Sequence, residues 1–76
     1  MPQVNERVVY RSIAGDFWDV TILAVREWHD PIGLIQNVVD IRVLIPGRSE
    51  PIELPNICWR DDPDDTRPGA RPRRDA

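Results

Sequence analysis

The sequence predicts an all-β domain over residues 1–60, a small five-stranded barrel or sandwich, followed by a disordered tail over residues 61–76. Three observations carry this reading. In Val38-Val39-Asp40-Ile41-Arg42-Val43-Leu44-Ile45, every odd position from Val39 to Ile45 is β-branched and apolar, with Asp40 and Arg42 between them. A period of two places Val39, Ile41, Val43 and Ile45 on one side of a pleated strand and both charges on the other. Strong turn chemistry punctuates the chain at Ala14-Gly15-Asp16, at His29-Asp30-Pro31-Ile32-Gly33 and at Pro46-Gly47-Arg48-Ser49. Finally, the composition changes abruptly at Asp61.

Glu6 to Ser12 reads as the first strand, with Val8 and Tyr10 on one face and Arg7, Val9 and Arg11 on the other. Phe17 to Trp28 is ambiguous. As a strand, Trp18, Val20, Ile22 and Ala24 share a face, opposite Asp19, Thr21, Leu23, Val25 and Glu27. As a helix, Phe17, Val20, Ala24 and Trp28 would line one side with Asp16 as N-cap, and the fold would become α+β. The β-branched and aromatic content favours the strand. The central strand starts near Gln36. Glu50 to Leu54 forms a short fourth strand, with Pro51 at its edge or entrance because proline donates no hydrogen bond. Leu54-Pro55-Asn56-Ile57 reads as one tight turn before a brief closing strand, Cys58-Trp59-Arg60. The expected core is Val8, Tyr10, Trp18, Val20, Ile22, Val39, Ile41, Val43, Ile45, Ile52, Leu54, Ile57 and Trp59.

Beyond Arg60 an acidic run, Asp61-Asp62-Pro63-Asp64-Asp65, precedes a basic one, Arg67-Pro68-Gly69-Ala70-Arg71-Pro72-Arg73-Arg74. So little apolar side chain cannot offset ordering entropy by burial, which is why disorder is expected there.

Five short strands with a tight turn before the last resemble an SH3-like small barrel. The residues that carry the resemblance are Leu54-Pro55-Asn56-Ile57-Cys58-Trp59, similar to the turn that precedes the final strand of such domains. The first strand departs from the peptide-binding members: Val8-Val9-Tyr10-Arg11 leads into a short turn rather than a long acidic loop. Proline-rich-ligand binding therefore does not carry over. The style of the chain, short, acidic and with a charged proline-rich end, is also similar to small phage or prophage proteins that use such barrels at the head–tail junction.

The totals bound the function. The chain has 76 residues, a formal net charge of −3 and ten basic residues, all arginine. A domain of this size buries only roughly 60% of its unfolded surface, so self-association or docking on a partner is expected to supplement a thin core. The acidic balance argues against electrostatically driven nucleic-acid binding. A single cysteine excludes an intrachain disulfide. The N-terminal residues lack the basic-then-apolar pattern of a secretory signal, and no apolar run reaches the length of a membrane span. A cytoplasmic protein is expected, or a virion-associated one if phage-encoded.

The residues for catalysis are sparse. His29 has no orienting partner or nucleophile in its local pattern, and Cys58 lies between apolar neighbours as a packed thiol would. Asp61, Asp62, Asp64 and Asp65 offer oxygen ligands, but their spacing matches no calcium loop. No cofactor, metal or small-molecule substrate is expected, and no enzymatic activity. The expected function is a protein-interaction module that docks by a sheet edge or an aromatic patch. Trp28, beside the His29–Gly33 loop, is the aromatic expected at the surface; His29, Phe17, Arg7, Arg11 and Arg48 complete the candidate contact residues. The alternative is a nucleic-acid-binding small barrel that uses Arg7, Arg11, Arg42, Arg48 and the basic tail.

Overall fold

The protein is described by a computed structural model that covers residues 2–74. Its strands are β1 (Arg7–Arg11), β2 (Phe17–His29), β3 (Ile35–Val43), β4 (Ile52–Cys58) and β5 (Gly69–Arg71). They form one antiparallel five-stranded sheet in the order β4-β3-β2-β1-β5. Phe17 to Trp28 is therefore strand, and the helical alternative is set aside.

Two of the turns follow one design. Gly15 donates its N–H to the Ser12 carbonyl (3.0 Å) and Gly33 to that of Asp30 (2.9 Å), each glycine with φ of +92°. This is a turn closed by a residue in the left-handed region, where glycine alone carries no steric penalty. Asp30 tightens the second turn, its carboxylate accepting the Ile32 N–H at 2.9 Å.

The core lies on one face of the curled sheet and consists of Val8, Val20, Ile22, Val39, Ile41, Val43, Trp59 and Ala70. Tyr10, Trp18, Val25, Ile45, Leu54 and Ile57 pack against it, partly buried. All but one of the expected core residues are here; Ile52 is half-buried and stands outside the cluster. Val25 was expected on the opposite face from Val20 and Ile22. A bulge between Ile22 and Ala24 explains the change. The extra residue shifts the alternation by one, so that Val25 faces the core opposite Val39.

A second bulge corrects the reading of Leu54–Ile57. This segment is not a turn before a separate closing strand; β4 runs through it, with its register shifted between the Val39–Ile57 and Ile41–Leu54 pairs. Asn56 takes φ of +56°, a conformation asparagine tolerates better than most residues. The turn that carried the SH3-like resemblance is thus a bulge inside a strand. Nor is the barrel closed: among the described residues no ladder joins the edge strands β4 and β5, and just past β4 Trp59 makes an isolated parallel bridge to Ala70.

Both bulges face the same residue, Asp40, on the middle strand. Its Oδ1 accepts the Asn56 N–H at 3.0 Å and a hydrogen bond from the Arg26 guanidinium. Arg26 also donates to Asn56 Oδ1 at 2.8 Å, so three consecutive strands are tied at one point.

The tail expected over residues 61–76 is the largest correction. Residues 61–74 fold back, and Gly69, Ala70 and Arg71 pair with β1 through Arg11, Tyr10 and Val9. The domain therefore extends past residue 60; Asp75 and Ala76 lie outside the described residues. Polar contacts replace the missing apolar burial. Asp61 accepts the Trp59 indole N–H at 2.9 Å, Asp62 accepts the Asp64 N–H at 2.9 Å, and Arg60 donates its N–H to the Ala70 carbonyl at 2.7 Å. Gly69 is required where it stands: a Cβ there would lie 2.5 Å from the Cys58 carbonyl oxygen.

Replacing Asp40 by alanine strips the Asn56 N–H and Arg26 of their acceptor and is expected to cost about 2 kcal/mol in urea denaturation. Gly69→Ala should release β5, read as faster amide exchange at Val9 and Arg11. Gly47→Ala, in a turn with no atom within 4 Å of the added carbon, should leave that exchange unchanged.

Candidate interaction surfaces

The six candidate contact residues fall at three places. Trp28 and His29 lie at one end of β2 and Phe17 at the other, eleven residues away, or about 30 Å or more along a strand. Arg7 and Arg11 join Phe17 on the outer face of the sheet. Arg48 stands apart in the turn between β3 and β4, donating its N–H to the Ile45 carbonyl at 3.1 Å.

The Trp28 end is a projecting hairpin. β1 pairs with β2 only from Phe17 to Thr21, and Ile22 bonds to Asn5 and Glu6 just beyond it. From Ala24 to His29, β2 pairs with β3 alone, so its other edge has no strand neighbour among the described residues. The arm carries apolar side chains in water: Trp28 is 59% exposed and Ile32 81%, and Leu34 and Ile35 are exposed too. Leu34 and Ile35 continue into a groove shared with Trp59, Asp62 and Arg67. His29, the last residue of β2 rather than a loop residue, has its Nε2 3.4 Å from Glu27 Oε2, and both are exposed.

At the opposite end, Arg11 lies over the Phe17 ring, 5.9 Å from its centroid, and Phe17 is 64% exposed. Val9, Phe17, Pro63, Arg71, Pro72 and Arg74 line a cavity of about 310 Å³ beside them.

Arg71 was not foreseen as a buried residue. It is only 2% exposed, yet among the described residues no carboxylate forms a salt bridge with it. Its guanidinium donates to the carbonyls of Asp65, Arg67 and Gly69, the last at 3.2 Å, and its Nε has no partner among the described residues. Burial pushes its pKa down from the ordinary arginine value. The only sequence signal for this clamp is indirect: Asp62 and Asp65 sit where aspartate closes short turns, which brings backbone carbonyls round toward Arg71.

Asp65 shows what the acidic run does. Its carboxylate accepts the Arg67 side chain at 2.7 Å and the Arg67 N–H at 2.8 Å. These contacts hold the Asp65 carboxyl well below the usual carboxylate range. Asp64 pairs with Arg74, and Arg73 with Asp19 at 3.5 Å. Among the described residues no three His, Cys, Asp or Glu side chains converge as metal ligands would, and no helix is long and apolar enough to cross a membrane. Cys58 is a half-buried free thiol at the end of β4. Compared with protein-family models, curated proteins and solved structures, the chain has no significant match.

Because its folded-state pKa lies below the unfolded value of about 4, Asp65 contributes stability in full above that value and loses it as the pH falls toward the folded pKa. Wild type should therefore melt above Asp65→Asn near neutral pH, and the gap should close as melting is repeated at pH values below about 4. A gap independent of pH would assign the effect to something other than the charge.

Proposed function

We propose that this chain is a non-enzymatic protein-interaction module that docks through the β2–β3 hairpin, and that a second copy is the first occupant of that surface. One observation carries the reading: the arm exposes Trp28, Ile32, Leu34 and Ile35, distributed over its two faces and its tip, and its β2 edge is unpaired among the described residues. Water is a poor neighbour for so many apolar side chains on one arm, and an open strand edge presents unsatisfied backbone donors and acceptors. Strand addition with side-chain anchors serves both needs at once. The thin core adds a reason for self-association, since covering the arm buries apolar surface that a domain of this size lacks. A setting in phage or prophage assembly belongs to the same proposal; the short, acidic, lysine-free chain with its charged proline-rich end supports it.

Sedimentation velocity over a wide concentration range tests the reading. Wild type should show a concentration-dependent dimer. Trp28→Ala should raise the dissociation constant about tenfold or more, as loss of an aromatic anchor does. Ile32→Ser should act in the same direction, and neither change should lower the melting temperature at concentrations where the wild type is monomeric. A species that stays monomeric at high concentration removes the second copy as occupant.

A further inference from the structure

The outer face at the far end of β2 is chemically unlike the arm. Strand alternation places Arg7, Val9 and Arg11 on this face, and their cross-strand partners Thr21, Asp19 and Phe17 share it. Arg71, opposite Val9 on β5, adds its charge from below. Arg73 and Arg74 follow in sequence, held by Asp19 and Asp64. Arg7, Arg11, Arg71, Arg73 and Arg74 thus gather at one end of a chain whose formal net charge is −3, with Asp19, Asp64, Asp62 and Asp65 beside the last three. Arg7 and Arg11 form no salt bridge among the described residues, and Arg11 instead lies over Phe17. The buried Arg71 guanidinium donates to backbone carbonyls, with Asp65 and Asp62 near enough to act on its charge, so it shapes the floor of this face while Arg7 and Arg11 supply the exposed charge.

We propose that this face binds single-stranded nucleic acid, with a base stacked on Phe17 and phosphates on Arg7 and Arg11. An exposed ring beside arginines on a sheet face is the combination such binding uses, because every base offers a π-face and every linkage a charge. The cavity of about 310 Å³ lined by Val9, Phe17, Pro63, Arg71, Pro72 and Arg74 gives a flipped-out base somewhere to lie. A paired duplex keeps its bases stacked and so offers the ring no free base face. Local charge outweighs the acidic total because screening limits each contact to within about 10 Å at moderate salt. The site is independent of the hairpin arm and stands or falls without it.

Fluorescence anisotropy with a labelled oligothymidylate at low and moderate salt tests the proposal on the intact chain. Wild type should bind, with affinity falling as salt rises. Phe17→Ala should weaken binding about tenfold, and Phe17→Trp should restore it, which a mere loss of folding would not allow. Arg11→Gln should weaken binding and flatten the log–log salt dependence by about 0.7. Trp28→Ala, on the arm, should bind as wild type does. Three results would overturn the idea: no binding at low salt, duplex bound as tightly as single strand, or heparin competing equally while Phe17→Ala changes nothing. The last would mark the face as a plain polyanion surface.

Discussion

The Asp40 carboxylate holds the sheet in its present form. It lies on β3 at the one level where both neighbouring strands carry bulges. A bulge leaves backbone donors without ladder partners, and an unsatisfied donor away from water costs on the order of 1–3 kcal/mol. Asp40 takes the Asn56 N–H directly and, through Arg26, fixes the Asn56 side chain as well. With β4 and β2 so pinned, Val25, Leu54 and Ile57 can all face the core, although an unbroken period of two would turn some of them outward. One charged residue between valine and isoleucine therefore sets the parity of two strands.

The same bulge separates the ends of β2. Before it, β2 is an interior strand, flanked by β1 and β3 and contributing Val20 and Ile22 to the core. Past it the strand loses its β1 neighbour, and beyond Arg26 it becomes one side of an arm; the molecule reaches 42 Å in its longest dimension against 24 and 23 Å across. The two exposed aromatics of β2 accordingly sit in different surroundings. Trp28 stands on an arm that also exposes Ile32, Leu34 and Ile35, whereas Phe17 has Arg11 over its ring. A module with an apolar end and a cationic face can hold two unlike partners without competition between them.

Much of the sheet was legible in the sequence. The odd-numbered aliphatics of β3, the Val8–Tyr10 face of β1 and the glycine turns at Gly15 and Gly33 obey local rules, and local rules are what a sequence displays. The bulges were not legible, since Leu23 and Pro55-Asn56 look like ordinary strand or turn residues until the partner strand is known. The C-terminal segment was misread for a related reason. Its fold rests on Arg71 meeting carbonyls and on aspartates closing turns, contacts that composition does not register, whereas Ala70, a single small residue, is the one hydrophobic side chain it buries among the described residues. Of the candidate contact residues, Phe17, Arg7 and Arg11 could be grouped only once β1 and β2 were paired. The exposure of Trp28 followed from its place beside the Asp30-Pro31 turn.

Strand β1 has its two neighbours at very different distances along the chain. Its partner β2 follows after a short turn, but Val9 must wait for Arg71, about sixty residues further on. On a translating ribosome that interval lasts on the order of several seconds, during which one side of β1 is an open edge. Arg7 and Arg11 then act as gatekeepers, charges on an unfinished strand that discourage its capture by another nascent chain until its own last neighbour has been made.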